Sequence, residues 1–420
     1  MLQAAVYPLK YRSRLSETFG RNIVLWNVRK QLRHVAQFID IIYLGGKEMR
    51  TKRYMILILG IFLIFLFYSC KQSNITSPKI GAILFETGEA KSYGIRAKRG
   101  YEMALEWGRA NGYKKIPDII YGDSAADESK GVTEFKRIVD INGVNFIVGL
   151  TGSGIAKAIC PLLLEKNVFV LEALDSAVEL SGCSPNFFRI YPSDEIQATF
   201  LVEWAIENDR KTSAIIYIQN AWGEGMQRGV EKRYVELGGK VLVKEGVQSG
   251  ITDYTSLLIK VKEHSPKVLF LLLYPTGARR WLEQAQLRKI EMSTMGGDAL
   301  TGAEVAQAGA AADGLMFSAP DPGSGPEYEN FVDNFKKRYG EKPDVYAIKS
   351  YDAMKLAIIA INNSQIEPKA LRTYFLQMPT FKGISGDIQF TDRGDVKSAK
   401  YQRYQYKSGQ ASILYSEKVK

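Results

Sequence analysis

The sequence predicts an α/β fold made of two doubly wound parallel-sheet lobes, and three observations carry that prediction. From Ile80 onward, short runs rich in Val and Ile alternate with longer stretches of helical periodicity, the pattern of a parallel sheet wrapped by helices. Ten such units follow one another, more than a single open sheet usually holds. The chain of 420 residues, 46% of them hydrophobic and 24% charged, is also long enough for two cores.

Taken in order, strands are expected at 80–85, 118–121, 145–148, 168–171 and 187–190, then at 214–218, 240–244, 268–273, 291–295 and 315–317. Helices are expected between them at 94–109, 127–140, 153–165, 194–208, 223–237, 253–262 and 277–287. Two long helices follow at 327–340 and 346–363, before short strands near 387–390 and 398–407. The Pro- and Gly-rich run from Pro320 to Pro326 is the strongest loop signal and suits a hinge crossing.

Charge is unevenly placed. Of the formal net charge of +11, residues 1–53 hold eleven Lys/Arg against three Asp/Glu, which leaves only +3 for the other 367 residues. A body so nearly balanced excludes bulk-positive nucleic-acid binding. After the basic stretch Arg50 to Arg53, fourteen almost unbroken apolar residues run from Met55 to Tyr68. As a helix they would rise about 21 Å against a hydrocarbon core of roughly 30 Å, so 49–69 reads as a signal peptide and not as a permanent span. Its end, Ser69-Cys70, resembles a bacterial lipobox, which implies lipidation of Cys70 and an exported protein anchored to the cell membrane, periplasmic or extracellular. Residues 1–48 read as a non-native or unstructured extension, with the start at Met49 or Met55, and 70–78 as lipidated cysteine and tether.

Catalytic and metal chemistry find little material. The histidines are His34 and His264, the cysteines Cys70, Cys160 and Cys183, and no C-x-x-C or H-E-x-x-H spacing occurs. No metal, no cofactor and no enzyme activity are expected. Cys160 and Cys183 either pair or stay as two buried thiols, and the sequence leaves both open. A dinucleotide-binding enzyme is the competing reading, since Gly152-Ser153-Gly154 follows a strand and Glu172 lies about twenty residues on; it fails because Lys157 stands where the third glycine belongs.

Candidate ligand contacts sit at strand ends. Gly149-Leu150-Thr151-Gly152-Ser153-Gly154 follows the strand 145–148 and opens a helix, where free N–H groups attract an anion and Ser153 also suits a helix N-cap. The next strand ends in Leu171-Glu172-Ala173-Leu174-Asp175-Ser176, and Gly296-Gly297-Asp298 follows the strand 291–295. Tyr93, Trp222 and Tyr274 offer apolar area with a polar tip at three further loops.

Three local patterns resemble the leucine/isoleucine/valine-binding family of type I periplasmic, ABC-transporter substrate-binding proteins. They are 79–105, with a Thr-Gly pair, Tyr93-Gly94 and Gly100-Tyr101-Glu102-Met103-Ala104; 149–181; and 217–229, with Trp222-Gly223-Glu224-Gly225. The resemblance implies a three-crossing hinge near 191–194, 319–322 and 381–386, with lobe one at 79–192 plus 320–382 and lobe two at 193–319 plus 383–420. It further implies that an amino acid or related small polar solute, such as a branched-chain amino acid or an amide, is caught in the interlobe cleft and delivered to an ABC permease. Ser153 would meet the ligand carboxylate with Gly152 and Gly154, Ser176 and Leu174 the ligand backbone, and Asp298 its ammonium. Leu174 and Asp175 depart from the small residues usual there, and an acid beside a carboxylate site is unfavourable unless it points away or meets a cation; Asp175 also suits a solvated helix N-cap. Tyr351 is a further, more distant candidate. The same fold also serves extracellular sensors or surface lipoproteins that work without a permease.

Overall fold

The protein is described by a computed structural model over residues 77–418, apart from Glu89; the leader, Cys70 and most of the tether lie outside the described residues. The first sheet contains β1 (Lys79–Leu84), β2 (Asp118–Asp123), β3 (Phe146–Val148), β4 (Phe169–Glu172) and β5 (Phe187–Arg189), all parallel, in the order β2-β1-β3-β4-β5. Helices cover both faces, so its central strands read as continuous apolar runs instead of alternating ones. They are α1 (Lys91–Ala110), α2 (Glu128–Lys136) and α3 (Ser153–Ile159).

After α4 (Asp194–Glu207) the pattern repeats with β6 (Thr212–Ile218), α5 (Ala221–Glu236), β7 (Lys240–Val247), α6 (Thr255–His264), β8 (Val268–Leu272), α7 (Pro275–Leu287), β9 (Thr294–Gly296) and β10 (Met316–Pro320). These parallel strands take the order β7-β6-β8-β9-β10, the same winding as the first sheet. The chain then returns to the first lobe as α8 (Pro326–Tyr339), α9 (Val345–Asn363), α10 (Pro368–Gln377) and the hairpin β11 (Phe381–Gly383) and β12 (Gly386–Ile388). It crosses once more into β13 (Lys400–Lys407) and β14 (Gln410–Lys418).

Packing follows from composition. Helix α9 is buried on nearly every side and lies along α1, with Gly100 letting the backbones touch: a Cβ there would meet the Ala347 carbonyl oxygen at 2.4 Å. The first core joins β1, β3, β4 and β5 to α1, α8, α9 and α10, while two clusters fill the opposite faces of the second sheet. The fold is thus the expected α/β pair of doubly wound lobes.

Four details differ from the sequence expectation. The helix expected at 153–165 breaks after Ile159 and resumes at Leu162–Glu165, because Pro161 donates no backbone hydrogen bond. Helix α10 was not foreseen, although Pro368 begins it and Leu371 and Phe375 face inward. The second sheet is not purely parallel, since β13 pairs antiparallel with β10 and β14 with β13. Finally, the third crossing lies near 396–400 instead of 381–386. Ile384, Ile388 and Phe390 belong to the first core, where Phe390 meets Phe188 edge-on at 5.2 Å. The Asp352 carboxylate on α9 accepts the N–H groups of Ile384 and Ser385. Residues 383–396 are thereby held to the first lobe, not the second.

Cys160 and Cys183 form a disulfide across 23 residues of sequence, with Cα atoms 6.0 Å apart. Closing a loop of that size removes unfolded-state entropy worth about 3 kcal/mol. Reduction with dithiothreitol is therefore expected to lower the thermal midpoint by several degrees; an unchanged melt, with loss of the bond confirmed by mass spectrometry, would contradict this.

Candidate functional site

In an open α/β sheet the ligand crevice lies where strand order reverses, outside the strand C-termini. The first sheet reverses between β1 and β3, the second between β6 and β8. The loops leaving these four strands converge on one cavity of about 50 Å³, lined by Phe85, Tyr93, Thr151, Gly152, Ser153, Leu174, Asp175, Ser176, Trp222, Tyr274, Asp298, Ala299 and Tyr346. Its small size suits a compact solute. A larger cavity of about 520 Å³ opens among the three crossings, beside Pro192, Pro320, Lys349 and Ser385, and draws no residue from either switch point.

One wall is a run of rings. Trp222 stacks on Tyr274 with centroids 5.4 Å apart, Tyr274 meets Tyr93 edge-on at 5.9 Å, and Tyr93 meets Tyr346 at 4.7 Å. Tyr346 in turn stacks on Tyr191 at 6.0 Å. The run passes from the second lobe to the first. Asn220 organises its second-lobe end: its side-chain oxygen caps α5 at the Gly223 N–H (2.8 Å) and its amide nitrogen donates to the Tyr274 hydroxyl at 3.0 Å.

The rest of the lining is polar and acidic. Asp298, just past β9, accepts hydrogen bonds at Oδ2 from the hydroxyl of Tyr191 and, at 3.3 Å, from that of Tyr346. Burial keeps both phenols well above their ordinary pKa, so they remain donors. Burial also raises the pKa of Asp298, against the pull of these hydrogen bonds.

Gly152 has φ +117°, a conformation open to glycine, and a Cβ there would strike the Phe85 ring at 2.6 Å. That backbone turns the Gly152 N–H onto Asp175 Oδ1 at 2.6 Å. Beside it the fully buried Glu172 accepts the N–H groups of Leu150, Ala173 and Leu174. Two amides of the loop expected to attract a ligand anion, those of Leu150 and Gly152, are thus taken by the protein's own carboxylates. Asp175, expected to point away, to meet a cation or to stand as a solvated helix N-cap, is instead buried at the cavity and accepts the Gly152 amide; burial and then the neighbouring Glu172 hold its pKa well above the carboxylate range.

Most residues singled out in the sequence meet here: Tyr93, Gly152, Ser153, Leu174, Ser176, Trp222, Tyr274 and Asp298 all line the cavity. The Ser153 hydroxyl accepts from the Ala177 N–H at 3.3 Å, so it does not serve as the N-cap of α3. Gly154 is absent from the lining and packs on the Glu128 side chain. Tyr351 lies in the first core against Phe331, with centroids 4.5 Å apart. Sequence reasoning missed Phe85, Thr151, Ala299, Tyr191 and Tyr346. The Asp344 N-cap marks the start of α9 and so places Tyr346 in its first turn, but which side chain of that turn faces the cleft is decided by packing.

The lobes are closed on each other. Arg96 of α1 pairs with Asp344 of its own lobe at 3.1 Å and with Glu304 of the other at 3.5 Å. Arg228 of α5 pairs with Glu179 across the opposite lip. Two lobes clasping a small polar and aromatic cavity at paired switch points define a solute-binding protein that encloses its ligand. The chain belongs to the periplasmic binding protein family, whose profile matches residues 77–411, and its business is binding, not catalysis. It is similar to Leu/Ile/Val-binding protein homolog 2 of Brucella abortus (strain 2308), 26% identical over 339 residues that cover 79% of this chain and 90% of the relative. The leucine-, isoleucine-, valine-, threonine-, and alanine-binding protein of Pseudomonas aeruginosa is 24% identical over 348 residues, 81% of this chain and 91% of that one. Among solved structures, a leucine binding protein from Thermotoga maritima superposes with a TM-score of 0.76 at 21% identity, covering 81% of this chain and 98% of its own. A solute binding protein of an ABC transporter from R. palustris, in complex with benzoate, gives 0.75 at 19% identity, covering 81% and 96%.

Asp194, at the start of α4 beside the first crossing, gives a pH signature. Burial, and next the Asp298 carboxylate, raise its pKa to about 7, with Arg189 opposing and Glu179 adding to the rise. The folded state therefore keeps a proton that the unfolded chain releases near pH 4. Its stabilising effect is complete below that value and is lost as pH rises through about 7. Melts without ligand are expected to show higher stability at pH 5 than at pH 8 by a few kcal/mol, and Asp194→Asn is expected to flatten the slope. An unchanged slope in the variant would refute the assignment.

Proposed function

We propose that this protein is the extracytoplasmic solute-binding component of an ABC-type importer. It catches a small polar solute between its lobes by hinge closure, presents the closed form to a permease and is tethered to the membrane through a lipid on Cys70. The observation that carries this reading is the convergence of both topological switch points on one cavity lined from both lobes. Closure is recognisable to a permease because it sets the relative position of two rigid bodies, and a ligand touching both lobes shifts the population toward that state. The relatives' names speak of branched-chain amino acids and the solved neighbours' of leucine, isoleucine and benzoate, all compact solutes with an apolar body.

Trp222 provides the readout. Titration of amino acids, short amides, urea, aromatic acids and alkyl amines should change its fluorescence for one class and shrink the radius of gyration in solution scattering. Trp222→Ala should weaken that ligand at least tenfold, about 1.4 kcal/mol. No response to any class, with unchanged scattering, would refute the reading. The tether has a separate test: Cys70→Ser should abolish incorporation of labelled palmitate and release the protein from membranes, and retained label would exclude lipidation at Cys70.

A further inference from the structure

Resting on the solute-binding reading above, we infer that the cleft is built for a compact organic cation, a primary ammonium without a carboxylate, held between Asp175 and Asp298 inside the aromatic wall. The lining holds two carboxylates and no Lys, Arg or His. Asp175 Oδ2 is buried with no hydrogen-bond partner, as is the Tyr93 hydroxyl. A buried carboxylate oxygen left unpaired is costly, and its position on the cavity wall calls for a donor from the ligand.

Several donors on this wall are turned to the protein's own acids: Gly152 gives its N–H to Asp175, while Leu150, Ala173 and Leu174 give theirs to Glu172. A zwitterion or an acid would bring its own negative charge against Asp175 with Glu172 directly behind, a like-charge contact that discriminates against it. Arg189 acts on Asp175 through space but gives its carboxylate no hydrogen bond, being committed through Nε to Asp395, through Nη2 to the Ser181 hydroxyl and through Nη1 to the Ala177 carbonyl. The hydroxyls of Thr151 and Ser153 can accept as well as donate, so they serve an ammonium equally. Tyr93, Trp222, Tyr274 and Tyr346 line the cavity, and aromatic rings attract a cation where they would not attract an anion.

The test is calorimetric titration of the purified full chain at pH 8 with four probes: 3-methylbutylamine, 1,4-diaminobutane, L-leucine and benzoate. At least one amine should bind ten times more tightly than L-leucine or benzoate, Asp175→Asn should weaken that amine at least tenfold, and its affinity should fall between pH 8 and pH 5. If L-leucine or benzoate is the tightest of the four, the solute-binding reading stands and the cation assignment is overturned. Silence from all four overturns the cation assignment and leaves the solute-binding reading to the wider titration above. Should the Asp175 variant not fold, as judged by its melt, the order of the four probes on the unaltered chain still decides.

Discussion

The closed cleft depends on Asp298 being held by two phenols that do not belong to its own lobe. Tyr191 stands at the first crossing and Tyr346 in the first turn of α9, and both donate to the same carboxylate oxygen. Hydrogen bonds to a buried charge are worth roughly 1.5–3 kcal/mol each, enough to hold a rigid body in place but too little to hold it there permanently. Tyr346 also meets the Tyr93 ring, which meets Tyr274, which stacks on Trp222. Electrostatics and ring packing in this cleft are therefore one system.

Acid is concentrated around that system. Glu172, Asp175, Asp194 and Asp298 are all buried, and burial is the leading reason that each has a raised pKa. Such groups resist being charged and dry together, so the closed state is costly by itself. The salt bridges at the lips, Arg96 with Glu304 and Arg228 with Glu179, offset part of that cost from the rim. A solute that satisfies the carboxylates contributes the remainder, which is the condition for closure to report occupancy.

Much of this was legible before any coordinates. Parallel strands covered on both faces need unbroken apolar residues, so Ile80–Leu84 and Val268–Leu272 could be recognised by composition alone. Because ligand sites in such sheets are tied to strand ends, Ser153 could be named from its place after a strand, and the family resemblance adds Tyr93, Trp222, Tyr274 and Asp298. What could not be read depended on contacts distant in sequence. Asp175 gives no sign that it will fold back 23 residues to the Gly152 N–H. The choice between Tyr346 and Tyr351 depends on how α9 is rotated against α1, which packing decides. Ile388 and Phe390 form too short an apolar run to announce that they complete the first core, so the sequence alone puts the third crossing too early.

The disulfide encloses more than a structural loop. Between Cys160 and Cys183 lie β4 and the turn that carries Glu172, Asp175 and Ser176, so the bond fastens both ends of the segment that supplies the acidic wall. Thiols stay reduced in the cytosol and pair in oxidising compartments. The recognition surface thus gains its covalent brace only where the surroundings are oxidising, so the state of this wall is tied to the compartment in which the chain resides.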